Sequence, residues 1–164
     1  MSKFISDPEK YFNSLPKKPI GAGVLLFNKK REIFIVKPSY KNYWSILGGV
    51  TENNESPREA VEREIYEEIG LKLKVKRLIC VDYAVANGKF GKTADSIQFL
   101  FFGGQLSDRQ MKKMKIDTSE IETYQFLKIK KVLPLLNDSF RERLKNCLEA
   151  IESGKTIYLE KGKR

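Results

Sequence analysis

The 164-residue sequence contains no histidine. Proton transfer near neutral pH must therefore use a carboxylate, a lysine, a tyrosine, a cysteine or a metal-bound hydroxide, and both Ser-His-Asp chemistry and histidine-ligated zinc are excluded. Cysteine is almost missing too. Cys80 and Cys147 are far apart in the chain and form no Cys-x-x-Cys pair, which argues against a zinc knuckle, a redox motif or a secreted disulfide scaffold. Both are expected to be buried, reduced thiols. No stretch approaches the ~20 apolar residues that span a bilayer, and the opening residues Met1 to Lys10 have no signal-like apolar segment. A cytoplasmic protein with no membrane partner is expected. Linkers rich in Gly, Ser or Pro, internal repeats and low-complexity tracts are also missing, so residues 1–164 are expected to form one domain, long enough to bury an ordinary core.

Basic residues are plentiful, at 31 against 21 acidic ones, for a net charge of +10. A surplus of this size raises the question of a nucleic-acid partner, because basic surfaces attract phosphates whatever their sequence. Arginine, the residue that grips phosphate bidentately, supplies only eight of the 31, and the lysines never run longer than two. Lysine-rich solvated surface explains this pattern more simply, and nucleic acid stays open as a second choice.

Two β-branched runs, residues 20–27 and 32–36, are split by the polar Asn28-Lys29-Lys30-Arg31 and predict two strands joined by a turn. Further strands are predicted at 73–83, 96–102 and 123–129, with an exposed loop over 86–95. A helix is predicted from Pro57 to Ile69, with Ser56 as N-cap, Glu59 completing a capping box and Gly70 as the stop. A second helix is predicted with Ser139 as N-cap, Gly154 as its stop, and Phe140, Leu144, Cys147, Leu148 and Ile151 on one core-facing stripe. Strands interleaved with helices predict a layered α/β domain.

Acid is concentrated in one place. Between Glu52 and Glu68 stand seven glutamates and two arginines, a local charge of −5 in a chain whose other residues then carry +15. Glu64, Glu67 and Glu68 lie at i, i+3 and i+4 on one helical face, beside the apolar stripe Val61, Ile65 and Ile69 that would seat the helix on a sheet. Like charges so placed repel, and a bound divalent cation would remove that cost. Hard oxygen ligands with room left for water and phosphate oxygens favour Mg²⁺, with Mn²⁺ as the alternative. A solvated acidic helix is the other reading of the same spacing. Just upstream, Gly48-Gly49 would make a sharp turn that lets backbone approach a metal or phosphate closely.

The segment from Gly49 to Leu71 resembles the Nudix box, G-x5-E-x7-R-E-U-x-E-E-x-G-U with U aliphatic, and every specified position matches. Upstream, Trp44-Ser-Ile-Leu47-Gly-Gly is similar to a common family motif in which proline stands where this chain has Leu47. Downstream, Glu120-Ile121 followed by Phe126 looks like the family's acidic residue before a late strand. The resemblance covers most of residues 20–130. Residues 1–19, read as an N-terminal extension, and the helix over 137–154 carry no such signature. The resemblance implies an α/β/α sandwich with a mixed sheet and hydrolysis of a nucleoside diphosphate linked to another moiety. By motif position it implies metal ligation by Glu64, Glu67, Glu68 and the Gly49 carbonyl. It further implies that Arg63 orients Glu64, and that Glu55, Gly48 and Gly70 support the loop and helix. The general base would be Glu64 or, outside the box, Glu120.

Tyr40, Lys41, Tyr43 and Trp44 precede the glycine pair, so a base could stack on an aromatic ring while Lys37 or Lys41 meets phosphate. Tyr43 and Trp44 also fit simple packing roles. Lys89, Lys92 and Asp95 are further candidates by position. Three functions are carried forward: hydrolysis of a small nucleotide, the same chemistry at the 5′ end of RNA, and catalytically idle nucleotide binding. A homodimer is compatible with the sequence.

Overall fold

Side chains alternate along β-strands, so a sheet with apolar residues on both faces must be covered twice. The computed structural model describes residues 7–85 and 95–164. Its strands are β1 (Ile20–Phe27), β2 (Ile33–Pro38), β3 (Gly48–Val50), β4 (Arg77–Val85), β5 (Asp95–Gln105), β6 (Ile121–Leu127) and β7 (Ile157–Glu160). They form one sheet in the order β6-β2-β1-β5-β4-β7, with β3 paired to β1. The β1–β5 and β4–β7 pairs are parallel and the others antiparallel, so the sheet is mixed. After a short first helix α1 (Pro8–Ser14), the chain builds this sheet and its cover: on β1, Val24 and Leu26 pack with Val61, Ile65 and Ile69 of helix α2 (Pro57–Ile69). Leu25, between them, packs with Leu144 and Cys147 of helix α3 (Asp138–Ser153) on the opposite face. This is the α/β/α sandwich.

The stripe predicted for α2 is fully buried, and its capping box forms. The Ser56 side chain accepts from the Glu59 N–H at 3.3 Å, and the Glu59 carboxylate accepts from the Ser56 N–H at 2.9 Å. Gly70 ends the helix at φ 70°. Helix α3 starts earlier than predicted. Its cap is Asn137, whose side chain accepts from the Phe140 N–H at 2.9 Å, and Ser139 falls inside the first turn. Asparagine caps as well as serine, so composition alone did not discriminate between them. Both cysteines are buried and unbridged in the α3-side core. The Cys80 sulfur as hydrogen-bond partner, reinforced by burial, pushes the Cys147 thiol up and keeps it protonated.

The ladder over the predicted 73–83 run starts only at Arg77, although Leu73 and Val75 still pack on the core. Gly48-Gly49 forms strand β3 rather than a free turn. The chain leading to it wedges between β1 and β2. Val36 and Ser45 make an isolated bridge, and Val24 N–H donates to the Leu47 carbonyl at 3.1 Å. The single partner pair Phe27 and Ile33 joins β1 to β2. That wedge splits the sheet at one end and opens it for a cleft. Among the described residues no helix is long and apolar enough to cross a membrane.

Candidate active site

The two glycines of β3 serve different contacts. Gly48 has φ +138°, and a Cβ there would lie 2.1 Å from the Ala22 carbonyl oxygen on β1. A Cβ on Gly49 would lie 2.2 Å from Glu64 Oε1 on α2. Only a strand bare of side chains fits so closely against both the sheet and the helix. The Gly48 N–H then donates to Glu68 Oε2 at 3.0 Å.

Arg63 gathers the surrounding carboxylates. Its Nε and Nη2 donate to the two oxygens of Glu55 at 2.9 and 3.2 Å, and Nη1 donates to Glu64 at 2.9 Å and Glu67 at 2.7 Å. Nη2 also reaches the Val50 carbonyl of β3 at 3.3 Å. This planar fork ties the loop before α2, the helix and β3 into one unit. Arg63 beside Glu55 holds the Glu55 carboxyl below its usual range, while its three carboxylate partners keep Arg63 charged.

The acids on the inner side behave oppositely. Burial, with the negative charges of Glu64 and Glu120 behind it, pushes Glu68 up to about 8. Burial also raises Glu64, against the opposing hydrogen bond from Arg63. Glu120 comes within electrostatic range because the turn before β6 is strapped to the end of α2. The Lys115 and Asp117 N–H groups donate to the carbonyls of Ile69 and Glu68 at 2.9 and 3.0 Å. Lys41 is close enough that its charge draws the Glu68 value back down.

A cleft of ≈ 600 Å³ runs from β3 to the start of α3. Gly48, Gly49, Lys41 and Tyr43 line it, whereas Glu64 and Glu68 stand beside β3 and not on its wall. The structure does not bring Lys37 or Trp44 there. Lys37 pairs with Glu122 across β2 and β6 at 2.7 Å. Trp44 packs against the α3-side core, its backbone N–H donating to the Leu135 carbonyl at 3.2 Å. Asp95 takes hydrogen bonds from Lys18 and Tyr83, and Lys89 and Lys92 lie outside the described residues. Sequence reasoning missed Gln98, Asn137, Phe140 and Arg143, all on the cleft wall. The available signal was Asp82, a lone acid inside the apolar run of β4, fully buried and paired with Arg143.

Among the described residues no three acidic or cysteine side chains already converge at coordinating distance. Glu67 is exposed and turned to Arg63. The donor chemistry nevertheless fits a hard cation: all-oxygen ligands, a cradle at Gly49 that a Cβ would fill, and a buried Glu68 that stays raised to about 8 despite the charge of Lys41.

The NUDIX domain model matches residues 17–149. The chain belongs to the Nudix hydrolase family. Nudix hydrolases generally use divalent metal ions. An RNA pyrophosphohydrolase of Orientia tsutsugamushi is 38% identical over 68 residues, 40% of this chain and 42% of that protein. One from Hydrogenovibrio crunogenus is 39% identical over 49 residues, 30% of each chain. The match thus spans well under half the length of these curated relatives. Among solved structures, the MutT protein of Methanosarcina mazei Go1 superposes with a TM-score of 0.66 at 23% identity, covering 87% of this chain and 100% of that one. A UDP-X diphosphatase gives 0.69 at 23% identity over 93% of this chain and 75% of that one. At these identities the structural likeness shows the Nudix fold alone.

Proposed function

We propose that this Nudix chain, as a single domain, is a Mg²⁺-dependent hydrolase that cleaves a phosphoanhydride bond in a nucleoside diphosphate linked to another moiety, with Mn²⁺ as a substitute metal. The observation that carries this reading is the pair Glu64 and Glu68, held against the two glycines of β3 at the edge of a nucleotide-sized cleft, with Glu68 raised to about 8 by burial and neighbouring acids. Glu64, Glu67, Glu68 and the Gly49 carbonyl would hold the metal, which supplies charge neutralisation at the phosphoryl oxygens and a more acidic bound water. Arg63, anchored by Glu55, sets the rotamer of Glu64 and holds Glu67 ready on the same face. Lys41 and Tyr43 would meet the phosphates and sugar. Glu64 is our choice of proton acceptor, because its raised pKa and half-burial bring it closer to neutral pH than an ordinary carboxylate. Glu120 is the alternative, since its charge reaches both Glu64 and Glu68.

The second reading, a triphosphate at the 5′ end of RNA, is favoured by the names of the curated relatives. Family members act on small nucleotides and some on RNA. A panel of nucleoside triphosphates, nucleotide sugars and 5′-triphosphorylated RNA, assayed for phosphate and pyrophosphate release with Mg²⁺, Mn²⁺ or EDTA, separates these readings. Metal-dependent turnover of small nucleotides supports the first, turnover of RNA alone replaces it with the second, and no turnover leaves an idle binder.

A further inference from the structure

At the far end of the cleft from β3, α3 presents Asn137, Ser139, Phe140 and Arg143. Arg143 is fixed from behind. Its Nε donates to Asp82 Oδ2 at 2.5 Å, and the other oxygen, Oδ1, accepts the Gly162 N–H at 3.0 Å. Asp82 is fully buried, so the ion pair is desolvated on one side and its geometry is determined by the surrounding core. The Phe140 ring, one turn earlier on α3, lies 5.8 Å from the guanidinium carbon. Neither terminal amino group of Arg143 donates to a described residue. Arg143 lines the cleft, so the two terminal amino groups are the donors that it can offer there.

We propose that Arg143 reads the base of the nucleotide, selecting one with two neighbouring acceptors on a single edge, as guanine presents with O6 and N7; this rests on the hydrolase reading above. A phosphate would be a poor match at this end, because Asp82 already balances the charge of Arg143 and leaves an oriented pair of donors rather than an anion trap. The rest of the wall agrees. Ala22, Ile46, Leu47 and Leu100 line the cleft with apolar surface suited to the flat face of a base. The other cation on the described wall is Lys41, from the segment that leads to β3. Strands β1 and β5 separate β3 from β4, which carries Asp82, so phosphates held beside β3 and a base held at Arg143 would span the cleft. An arginine fork is the side chain whose geometry matches guanine O6 and N7, and such pairs discriminate against a wrong base by roughly 5- to 150-fold.

The test uses the wild-type protein first, with guanosine, 7-deazaguanosine and adenosine forms of the triphosphate and of a diphosphate sugar, measuring kcat/KM with Mg²⁺ and binding by calorimetry. The guanine form should be preferred over both others within that range, mostly through KM, since the 7-deaza compound lacks only the N7 acceptor. Arg143→Lys keeps the ion pair with Asp82 but loses the fork, so its preference should collapse to within about twofold. A merely structural Arg143 would be indifferent to the N7 atom. Equal kcat/KM for guanine and 7-deazaguanine forms in the wild type overturns the base assignment and leaves the hydrolase reading standing. Guanine-selective binding without turnover of any form does the reverse. Absence of both turnover and selective binding overturns both.

Discussion

Replacing Glu68 with glutamine isolates the electrostatic cost of the site. Glutamine keeps an oxygen to accept the Gly48 N–H and cannot ionise. In the folded, metal-free protein Glu68 is raised from 4.5 to about 8. For an acid with a raised folded value, the stabilising contribution is complete below pH 4.5 and is lost as pH climbs through 8. At about 1.4 kcal/mol per pH unit, the full loss has a ceiling of ~5 kcal/mol, reached somewhat above pH 8. Relaxation of the surrounding side chains on ionisation brings the expected figure down to ~2–4 kcal/mol, or roughly 5–15 °C in Tm for a domain of this size. Unfolding would be followed by urea and by heat, in EDTA, at about pH 4 and about pH 9. Glu68→Gln and wild type should coincide at the lower pH, and the variant should be the more stable at the higher one. Adding Mg²⁺ at a hundred times its Kd should stabilise the wild type by about 2.7 kcal/mol and the variant by much less. Parallel pH profiles for the two proteins in EDTA would refute the buried-acid argument, and equal Mg²⁺ stabilisation would refute the assignment of Glu68 as a ligand.

The two glycines of β3 should separate function from folding. Gly49→Ala presses only on the mobile end of Glu64, so turnover should fall on the order of 10²-fold with a small change in Tm, whereas Gly48→Ala meets backbone at positive φ and should lower Tm by several degrees; steady-state kinetics beside thermal melts reads both. Arg63→Ala releases Glu55, Glu64 and Glu67 together, and should cost on the order of 10²-fold in turnover and move the acidic limb of the pH–rate profile to higher pH, as Glu64 loses the hydrogen bond that lowers its pKa. Glu64→Gln should abolish turnover at every accessible pH while Glu120→Gln retains most of it. A Glu120→Gln protein with normal metal affinity and a hundredfold lower rate would transfer the role of base to Glu120.

Much of the Nudix-box segment was legible because its signals are local. The capping box at Ser56 and Glu59, the stop at Gly70 and the stripe Val61, Ile65 and Ile69 depend on neighbours within a few turns of one helix, and each stands where the periodicity placed it. The same holds for the facing of Glu64 and Glu68, whereas the pairing of Arg63 with Glu55 came from the structure. The cap of α3 was less legible, since Asn137 and Ser139 are both good caps and the choice between them is made by packing.

By itself, then, the sequence determined the acidic helix, its registry and the absence of imidazole chemistry, because those follow from residue type and spacing along the chain. The tertiary structure alone decided what faces that helix. It turned Gly48-Gly49 into a strand pinned between β1 and α2, brought Glu120 within range of the buried acids and sent Lys37 and Trp44 to other contacts. It also placed Arg143 on the cleft by pairing it with Asp82, a partner 61 positions away. Contacts across such separations depend on which strands become neighbours, and no periodicity along the chain records that choice.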